Sequence, residues 1–509
     1  MKTSALALVA VLGLPAYLAY AQTSDTLTIN PTATPYQAIP SDFAGISIDH
    51  NEGATELGPV YYQLFNNLIN ASGSTMFLRI EGDGAMAPNN TSPAPYYNNC
   101  KTAGGTLQQP QSALIPPVKI LLQNVNVKVT LGIDMACAQV TGMNWAKAEA
   151  LAYYNGLGYT LYQKVAALEL GNEPDNYPSQ GFRDSHYTFS GAGDSYLSDW
   201  NTWIQNIGNT PSGVKYMGPS AAGSSYGIPP GATIVSQHNY PLPKLPLCAD
   251  GQTVGCDAVD LLLQDSSVRG KDVGPMLYQT HLANAHAAGL KYRMAEFNDI
   301  GGGGEPGLSD TFQSALWLLD TEFEYASLGY DGTNIHTGNY VDYSLWEIKN
   351  TKLYSTYPKY YGLLAFQMAG GHGAKLIQPT SDVKSQGSNT YFVDWVTIDS
   401  NKHVHVVIIN KDENNDETTT VNLPGYNNGT ATLLGAPAFN SGVVCNNGVC
   451  TSGVFIGPNT FDGSTDGNPL YYTCPYAQST QCYESFTSAK GTYTVNVPKA
   501  TAMLLDLSQ

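Results

Sequence analysis

The chain has little positive charge. It carries 23 Lys and Arg against 41 Asp and Glu, a net charge of −18 at pH 7. Nucleic acids and other polyanions are bound by clustered basic side chains, so this balance argues against a nucleic-acid partner. Charged residues make up only 13% of the chain and hydrophobic residues 42%, which indicates a folded protein with a large core rather than a disordered one.

Long apolar runs are scarce, and the one that stands out lies at the N-terminus. It follows Lys2, is interrupted by Pro15 and ends in the small-x-small pattern Ala19-Tyr20-Ala21. The run is too short to span a bilayer and has the form of a signal peptide. We therefore predict that residues 1–21 are removed and that the mature protein is secreted, without a membrane anchor. Sequons at Asn70, Asn89, Asn90 and Asn428 are compatible with that route.

The sequence lacks the Cys-x-x-Cys pattern of a structural zinc site. Its eight cysteines lie at positions 100, 137, 248, 256, 445, 450, 474 and 482. An even count in a secreted protein predicts disulfide bonds. The short spacings favour Cys248 with Cys256, Cys445 with Cys450 and Cys474 with Cys482, leaving Cys100 for Cys137. Crossed pairing within the last four stays open.

From about residue 43, short β-rich runs alternate with longer helical patterns such as WAKAEALAYYNGL. This alternation is typical of a parallel sheet closed by crossover helices. The candidate strands are 43–49, 75–82, 127–134, 165–173, 214–219, 233–240, 291–297 and 333–338. Eight such units predict an α/β fold, a (β/α)₈ TIM barrel over residues 36–370.

After about residue 371 the chain is rich in Thr, Asn, Gly and Val with period-two alternation, as in HVHVVIIN and GTYTVNVP. Such runs, bounded by turn residues, predict an antiparallel β-sandwich domain over residues 371–509. The early segment DTLTINP alternates in the same way. We therefore expect residues 22–35 to supply a strand to the sandwich.

Two glutamates lie at or near the ends of predicted barrel strands, where TIM barrels carry their catalytic groups. Glu173 closes the fourth strand in LELGNEPD, and Glu296 lies near the end of the seventh in RMAEFND. Retaining hydrolysis of a glycosidic bond needs an acid and a nucleophilic carboxylate about 5–5.5 Å apart. The pattern predicts Glu173 as general acid/base and Glu296 as nucleophile, with Asn172 bound to the sugar 2-hydroxyl and no metal or cofactor. The alternative is a pair of ordinary surface salt-bridge acids.

Several motifs appear together in the order of one family. They are SIDH (47–50), FLRIEGDG (77–84), GNEP (171–174), QHNYPL (237–242), GGGGEPGLSDTF (301–312) and HTGNY (336–340). With this set the chain resembles glycoside hydrolase family 79, the β-glucuronidase and heparanase family, over nearly all of its mature length. That family belongs to the retaining clan with carboxylates on strands four and seven. The resemblance implies the same barrel and sandwich.

The resemblance also implies the substrate contacts. Backbone amides of Gly302 and Gly303 and the hydroxyl of Tyr340 are expected to hold a uronate carboxylate, since glycine lets the backbone approach an anion closely. Asp49, at the end of the first strand, is expected to bind sugar hydroxyls. The remaining two residues, His238 and Tyr240, are expected to line the pocket and orient the nucleophile. The alternative for residues 301–304 is a flexible linker to the next helix.

The chain also departs from the family. Where many relatives read Leu-Arg-x-Gly-Gly, it has Glu81 and Asp83, two extra acids that we expect near the pocket mouth. Gly301 stands where heparanase-like members have a tyrosine. Glu169 shares the inward face of Glu173, and because a lone buried carboxylate is costly, we predict that Glu169 joins an internal ion pair or hydrogen-bond network with Arg79.

The leading hypothesis is a secreted exo-β-glucuronidase that removes terminal β-linked glucuronic acid, or its 4-O-methyl form, from a glycan. The same-family rival, a heparanase-like endo-glucuronidase, needs a basic groove for its sulfated chain, and the sparse Lys and Arg argue against it. A neutral-sugar β-glycosidase of the same clan is the second rival, favoured by Glu81 and Asp83. A non-catalytic carbohydrate-binding protein is the third. The sequence does not determine the oligomeric state.

Overall fold

The computed structural model describes residues 23–82, 111–136, 144–189, 195–209, 213–243, 262–264, 268–269, 276–338, 341–380, 391–446, 449–475 and 482–509. The predicted signal peptide lies outside these ranges, as do Asp83, Asn89, Asn90, Tyr340 and four cysteines (Cys100, Cys137, Cys248 and Cys256). Within the described ranges, no helix is both long enough and apolar enough to cross a membrane.

Eight parallel strands form a closed barrel. Two short strands precede it, β1 (Thr23–Thr28) and β2 (Gln37–Ala38). The barrel strands are β3 (Gly45–Asp49), β4 (Met76–Glu81), β5 (Val127–Ile133), β6 (Val165–Leu170), β7 (Tyr216–Ala221), β8 (Ala232–Asn239), β9 (Lys291–Phe297) and β10 (Gly332–His336). Each pairs with the next, and β10 returns to β3. The predicted TIM barrel is confirmed, and every candidate strand overlaps an observed one.

Helices cover the outside of the barrel. They are α1 (His50–Thr55), α2 (Pro59–Ser72), α3 (Gln111–Asn124), α4 (Asn144–Leu157), α5 (Tyr159–Tyr162), α6 (Tyr177–Gln180), α7 (Ser195–Ile207), α8 (Met276–Ala287), α9 (Phe312–Ser327) and α10 (Pro358–Gly370). Helix α2 begins with proline in its first turn and ends at the left-handed Gly73, as helix-end preferences predict. Helices α9 and α10 are buried along almost their whole length. They lie where the barrel meets the second domain, so both of their faces are covered.

The second domain is built from strands. A hairpin, β11 (Trp346–Lys349) and β12 (Lys352–Thr356), lies before α10. The later strands are β13 (Lys375–Leu376), β14 (Phe392–Ile398), β15 (Val404–Asn410), β16 (Glu417–Asn422), β17 (Asn428–Gly435), β18 (Val444–Asn446), β19 (Val449–Thr451), β20 (Phe455–Ile456), β21 (Asn459–Thr460), β22 (Leu470–Tyr471), β23 (Tyr483–Thr487), β24 (Thr492–Val497) and β25 (Thr501–Ser508). Two sheets enclose a separate apolar core that includes Val406, Leu433 and Val421.

The larger of these sheets has ten antiparallel strands, with β25 between β15 and β17. The smaller one has the order β1-β16-β24, and β1 joins it parallel to β16. The predicted antiparallel sandwich is therefore confirmed. The one parallel pairing in the smaller sheet is that of the N-terminal strand β1 with β16. Disulfides join Cys445 to Cys450 and Cys474 to Cys482, so crossed pairing among the last four cysteines is wrong.

The barrel interior is layered. Phe77, Ala167, Met217 and Ile234, which lie near the N-terminal ends of their strands, form a small apolar cluster with Ala295 of β9. Side chains two residues further along a strand point to the same face, so the next layer on β4 and β6 is formed by residues 79 and 169, which are charged. The apolar layer thus separates the polar upper half of the barrel from its lower mouth.

Candidate active site

The two candidate carboxylates meet at the C-terminal end of the barrel. Glu296 lies within β9, whereas Glu173 follows β6 by three residues and starts a short 3₁₀ turn at Pro174–Asn176. One carboxylate oxygen from each and a ring nitrogen of His238 all lie within 4.8 Å of one another. This separation fits the close pair that retaining glycoside hydrolysis requires and leaves little room for the water of an inverting enzyme.

Glu296 is held from several sides. Arg79 Nη1 donates a hydrogen bond to Oε2 at 2.6 Å, and the Tyr240 hydroxyl donates one to Oε1 at 2.7 Å. Nδ1 of His238 lies 3.8 Å and Nδ1 of His336 4.0 Å from Oε2. Burial by itself would raise the pKa of Glu296, but His336, His238 and Arg79 together hold it well below its usual range. Glu296 is therefore ionised at any ordinary working pH and oriented at both oxygens.

Glu173 has a different setting. Its side chain is 20% exposed, Asn176 Nδ2 donates to Oε2 at 2.9 Å, and Nδ1 of His238 lies 3.1 Å from Oε1. The backbone is left-handed, with φ 45°, which costs a residue other than glycine about 1 kcal/mol or more. The Glu173 N–H donates to the Ser220 carbonyl at 3.0 Å, and Asp175 accepts three backbone N–H bonds from the segment after β7. These bonds fix the loop in its strained form.

Beneath the pair lies a buried network centred on Arg79, which is fully shielded from solvent. Its Nε donates to both oxygens of Glu169, at 3.0 and 2.8 Å, its Nη1 also bonds Ser47 at 3.0 Å, and its Nη2 bonds Asn172 Oδ1 at 2.8 Å. The internal ion pair of Arg79 with Glu169 is confirmed. The sequence reasoning missed the second arm of the guanidinium, which reaches Glu296, although strand parity already put residue 79 on the inward face.

Asp49 and Asn172 flank the network. Asp49 ends β3, is partly exposed and precedes α1, where its N–H donates to Glu52 Oε2 at 3.3 Å. A Cβ atom at Gly82, whose φ is 92°, would collide with Asp49 Oδ1, so only glycine fits there. Asn172 is 4% exposed and presents its Oδ1 to Arg79. Their predicted contacts with sugar hydroxyls stay predictions.

The glycine loop after β9 is a hydrogen-bonded turn. Gly302, Gly303 and Gly304 have φ values of 68°, 97° and 87°, conformations that side chains disfavour. The Gly301 N–H donates to the Leu242 carbonyl at 2.8 Å, and the Gly303 carbonyl accepts the Asp342 N–H at 2.8 Å. This geometry differs from a flexible linker. It also brings the loop against Asp342 and Tyr343. Tyr340 lies outside the described residues.

Glu81 does not lie at the pocket mouth, and that expectation is wrong. Its side chain is fully buried on the inward face of β4, and a Cβ at Gly132 would lie 2.7 Å from its carboxyl carbon. Burial raises its pKa well above the usual value, opposed by Arg79 and reinforced by Glu169. Burial inside the barrel thus favours the protonated form of this carboxyl group. Asp83 lies outside the described residues.

Two further residues belong to the site. His336 ends β10, and its Nδ1 lies 3.2 Å from Ser47 Oγ and 4.0 Å from Glu296. The Tyr343 ring packs against His336 and Tyr240, with ring centroids 5.6 and 6.2 Å apart. His336 could have been found from sequence, because it stands at the C-terminal end of the eighth strand. Tyr343 lies in a loop, where no periodicity assigns it to the pocket.

Glu173, His238 and Glu296 are also the one group among the described residues whose donor atoms are close enough to surround a metal ion. Both oxygens of Glu296 are already engaged, however, by Arg79 and Tyr240. The Arg79 guanidinium, with Nη1 2.6 Å from Glu296 Oε2, occupies the position from which a metal ion would bind that oxygen. The donor set suits an acid and nucleophile pair better than a metal centre.

No protein-family model matches the chain. Among curated proteins, a beta-glucuronidase of Aspergillus niger is 26% identical over 244 residues, which cover 42% of this chain and 42% of the relative. A beta-glucuronidase of Neurospora crassa is 23% identical over 219 residues, covering 42% of this chain and 37% of the relative. The matched segments thus span less than half the length of these relatives.

Solved structures match over a larger part of the chain. A 4-O-α-L-rhamnosyl-β-D-glucuronidase from Fusarium oxysporum, solved with Rha-GlcA, has a TM-score of 0.68 at 18% identity and covers 95% of this chain and 100% of its own. An arabinofuranosidase of family 51 from Xanthomonas axonopodis pv. citri has a TM-score of 0.60 at 13% identity, covering 96% and 100%. At these identities the likeness establishes a shared fold.

Proposed function

We propose that this chain is a retaining glycoside hydrolase of the clan that carries its carboxylates on strands four and seven, and that it acts on β-glucuronides. The observation that carries the proposal is the pair of Glu173 and Glu296, with oxygens within 4.8 Å, in which one member is clamped by Arg79 and Tyr240 and the other stands partly exposed. This asymmetry separates a fixed anion from a group that can exchange a proton with substrate and water.

The reaction proceeds in two displacements. In the first, a Glu296 oxygen attacks the anomeric carbon while Glu173 gives its proton to the departing glycosidic oxygen, which leaves as an alcohol. In the second, Glu173 takes a proton from water, the hydroxide attacks the same carbon, and the bond to Glu296 breaks. The sugar is released with its original β configuration, and both glutamates return to their starting protonation states.

A glucuronide substrate is supported by three observations. Both curated relatives are named as beta-glucuronidases, and the Fusarium structure as a rhamnosyl-glucuronidase. The left-handed turn at Gly302 and Gly303 is bonded to residues 342–343, and glycine backbone in this conformation is suited to binding a carboxylate. Glu81 is fully buried and its pKa is raised, which weakens the repulsion that an extra acid at the pocket mouth would exert on a uronate. Membership of family 79, release of terminal residues and secretion through residues 1–21 belong to the same proposal.

The neutral-sugar β-glycosidase remains the rival to be tested. Initial rates on aryl β-glucuronide, β-glucoside and β-xyloside, each followed across acidic pH, separate the candidates. We expect kcat/KM for the glucuronide to exceed that for the glucoside by roughly ten- to a hundredfold, the effect of hydrogen bonds to a charged acceptor of about 1.5–3 kcal/mol. Equal rates would favour the rival.

Early product analysis tests the mechanism itself. Proton NMR during the first turnovers should show the β anomer before mutarotation, because two inversions restore the configuration. First appearance of the α anomer would overturn the retaining assignment. Failure to turn over any of the three glycosides or a glucuronide-bearing oligosaccharide would favour the non-catalytic carbohydrate-binding protein.

A further inference from the structure

The lower mouth of the barrel, opposite the candidate active site, is positively charged. A cavity of about 250 Å³ opens there, and five basic side chains contribute to its lining: Lys128, Lys164, Lys215, Lys291 and Arg293. Only two acids, Asp42 and Asp331, share this lining. In a chain with 23 basic and 41 acidic residues, an excess of three positive charges around one cavity reverses the overall sign.

Part of this charge is already used. Lys128 Nζ lies 2.6 Å from Asp42 Oδ2, and Lys164 Nζ donates to the Leu122 carbonyl at 2.5 Å, near the C-terminal end of α3. Asp331 accepts the Tyr292 N–H at 2.8 Å and lies 2.9 Å from a histidine nitrogen. Both acids of the cavity thus have short-range partners.

Lys215 and Lys291 are not used in this way. Both side chains are exposed, and in the part of the chain that the structure describes neither ammonium group has a hydrogen bond or a carboxylate within 4.0 Å. They flank the start of β8, since Lys215 directly precedes β7 and Lys291 pairs with Ile234. Neighbouring strands lie about 4.8 Å apart and Lys215 is offset from the level of Lys291 by two residues, so the two Cα atoms are separated by roughly 12 Å. Both long side chains can therefore reach one ligand between them.

The floor of the cavity holds a buried cation without a direct counter-ion. Arg293 is 3% exposed, lies over the Phe77 ring at 3.8 Å, and donates to backbone carbonyls and the Asn334 amide. Burial lowers its pKa to about 10, so it stays charged at neutral pH. Among the described residues, no carboxylate lies within 4.0 Å of its guanidinium.

The pKa of Asp42 is shifted by the same positive charges. Its burial would raise its pKa, yet Arg293, Lys128 and Lys291 lower it below the usual value. An isolated buried charge is costly, and a nearby anion reduces that cost. The cavity thus combines a fixed cation at its floor with two uncommitted lysines at its rim.

We propose that the lower mouth of the barrel is an anion-binding site for a compact oxyanion, either free inorganic phosphate or the carboxylate of a sugar acid, bound between Lys215 and Lys291 over Arg293. The site is independent of the proposed glycosidase, because the apolar layer around Phe77 and Met217 separates it from the catalytic carboxylates. The volume admits one small anion or one sugar residue and excludes a folded partner.

The test is calorimetric titration of the full chain with inorganic phosphate and with D-glucuronate, at constant low ionic strength, using glucose as the neutral probe. The variant is Lys215→Gln with Lys291→Gln. Its matched control, Lys490→Gln with Lys499→Gln, removes the same charge from two exposed lysines of the second domain. Replacement of both mouth lysines by arginine keeps the charge.

We expect the mouth variant to weaken anion binding by about tenfold or more, and the control by less than about twofold. The arginine variant should bind as the native chain does, and turnover of an aryl glycoside should be unchanged in all three. If the mouth variant loses binding of phosphate alone, the ligand is a free oxyanion. If it loses binding of glucuronate alone, the ligand is a sugar acid. Equal binding in native and mouth variants, or no binding of either anion, overturns the proposal.

Discussion

Arg79 Nη1 lies 2.6 Å from Glu296 Oε2, and the side chains are 0% and 10% exposed respectively. The same guanidinium binds Glu169 through Nε. One buried cation therefore stabilises two carboxylates, and removing it would leave both without their closest counter-charge. In the proposed reaction this contact keeps Glu296 ionised and pointed at the anomeric carbon.

The first prediction concerns the nucleophile. Glu296→Gly should lower kcat on an aryl glycoside by at least about 10³-fold, since no covalent glycosyl-enzyme can form. Added azide should restore part of the rate and give a glycosyl azide of inverted configuration. Glu322→Gln, which changes a buried glutamate of α9, is the control and should keep its activity. Native activity in Glu296→Gly without azide would disprove the assignment.

The second prediction concerns the acid. In Glu173→Ala, kcat/KM for a natural disaccharide should fall by roughly 10²–10⁴-fold, because its poor leaving group needs a proton. A dinitrophenyl glycoside needs little protonation, so its kcat/KM should fall less than about tenfold. Parallel losses on both substrates would show that Glu173 does not protonate the leaving group.

A third prediction follows from the Arg79 contact. Arg79→Lys keeps one charge but loses the planar fork that holds Glu169, Glu296 and Asn172 together. The pKa of Glu296 should rise toward its ordinary value, so the acid limb of the kcat/KM profile should move to higher pH. Folding is checked by the thermal midpoint and by near-UV circular dichroism. An unmoved acid limb in a folded variant would exclude this role for Arg79.

The fourth prediction tests the uronate pocket. Gly302→Ala adds a methyl group where φ is 68° and where the backbone is proposed to meet the carboxylate. The ratio of β-glucuronide to β-glucoside kcat/KM should fall roughly tenfold, and Tyr340→Phe should lower it by ten- to a hundredfold. Gly307→Ala provides a control of similar strain, since its φ is 77°. A parallel loss on both substrates would indicate that the pocket binds a hydroxyl common to both sugars.

The fifth prediction concerns stability and pH. Burial raises the pKa of Glu322 to about 8, from an ordinary 4.5, opposed by the Thr333 hydroxyl and Arg293. The folded chain then keeps a proton that the unfolded chain releases, so this contribution is complete below about pH 4.5 and is lost as pH rises through 8. In Glu322→Gln, the free energy of unfolding should change less between these pH values than in the native chain, by an amount on the order of a few kcal/mol. Urea unfolding of the native chain and of Glu322→Gln at pH 5 and pH 8 measures this difference. An equal change in unfolding free energy in the two proteins would contradict the prediction.

Much of the fold could be read from the sequence because its signals are local. Each barrel strand is a short apolar run that lies between helical patterns, and each strand of the sandwich alternates with period two. Those signals placed Glu173 and Glu296 on strands four and seven. They could not show that Glu173 lies three residues beyond its strand in a left-handed turn. That conformation depends on hydrogen bonds to the segment at the end of β7, from Glu173 N–H to the Ser220 carbonyl and from Ala222 N–H to Asp175.

The failures have a similar origin. Glu81 was expected at the pocket mouth from its place in FLRIEGDG, but its exposure depends on how deeply β4 is set into the barrel and on the space that Gly132 leaves on β5. The cation cluster at the lower mouth was equally hidden, because its lysines come from separate strands and appear scattered along the chain. Charge counts gave only the net sign.

Sequence by itself determined the type and order of the elements, the two candidate catalytic glutamates and the acidic balance, since periodicity, turn residues and composition act over a few residues at a time. Only the tertiary structure decided which side chains share a layer of the barrel. Closing eight strands brought Arg79 to Glu296 across 217 positions of sequence and gathered Lys215 and Lys291 on either side of β8. Such contacts depend on strand register and barrel closure, which no local pattern specifies.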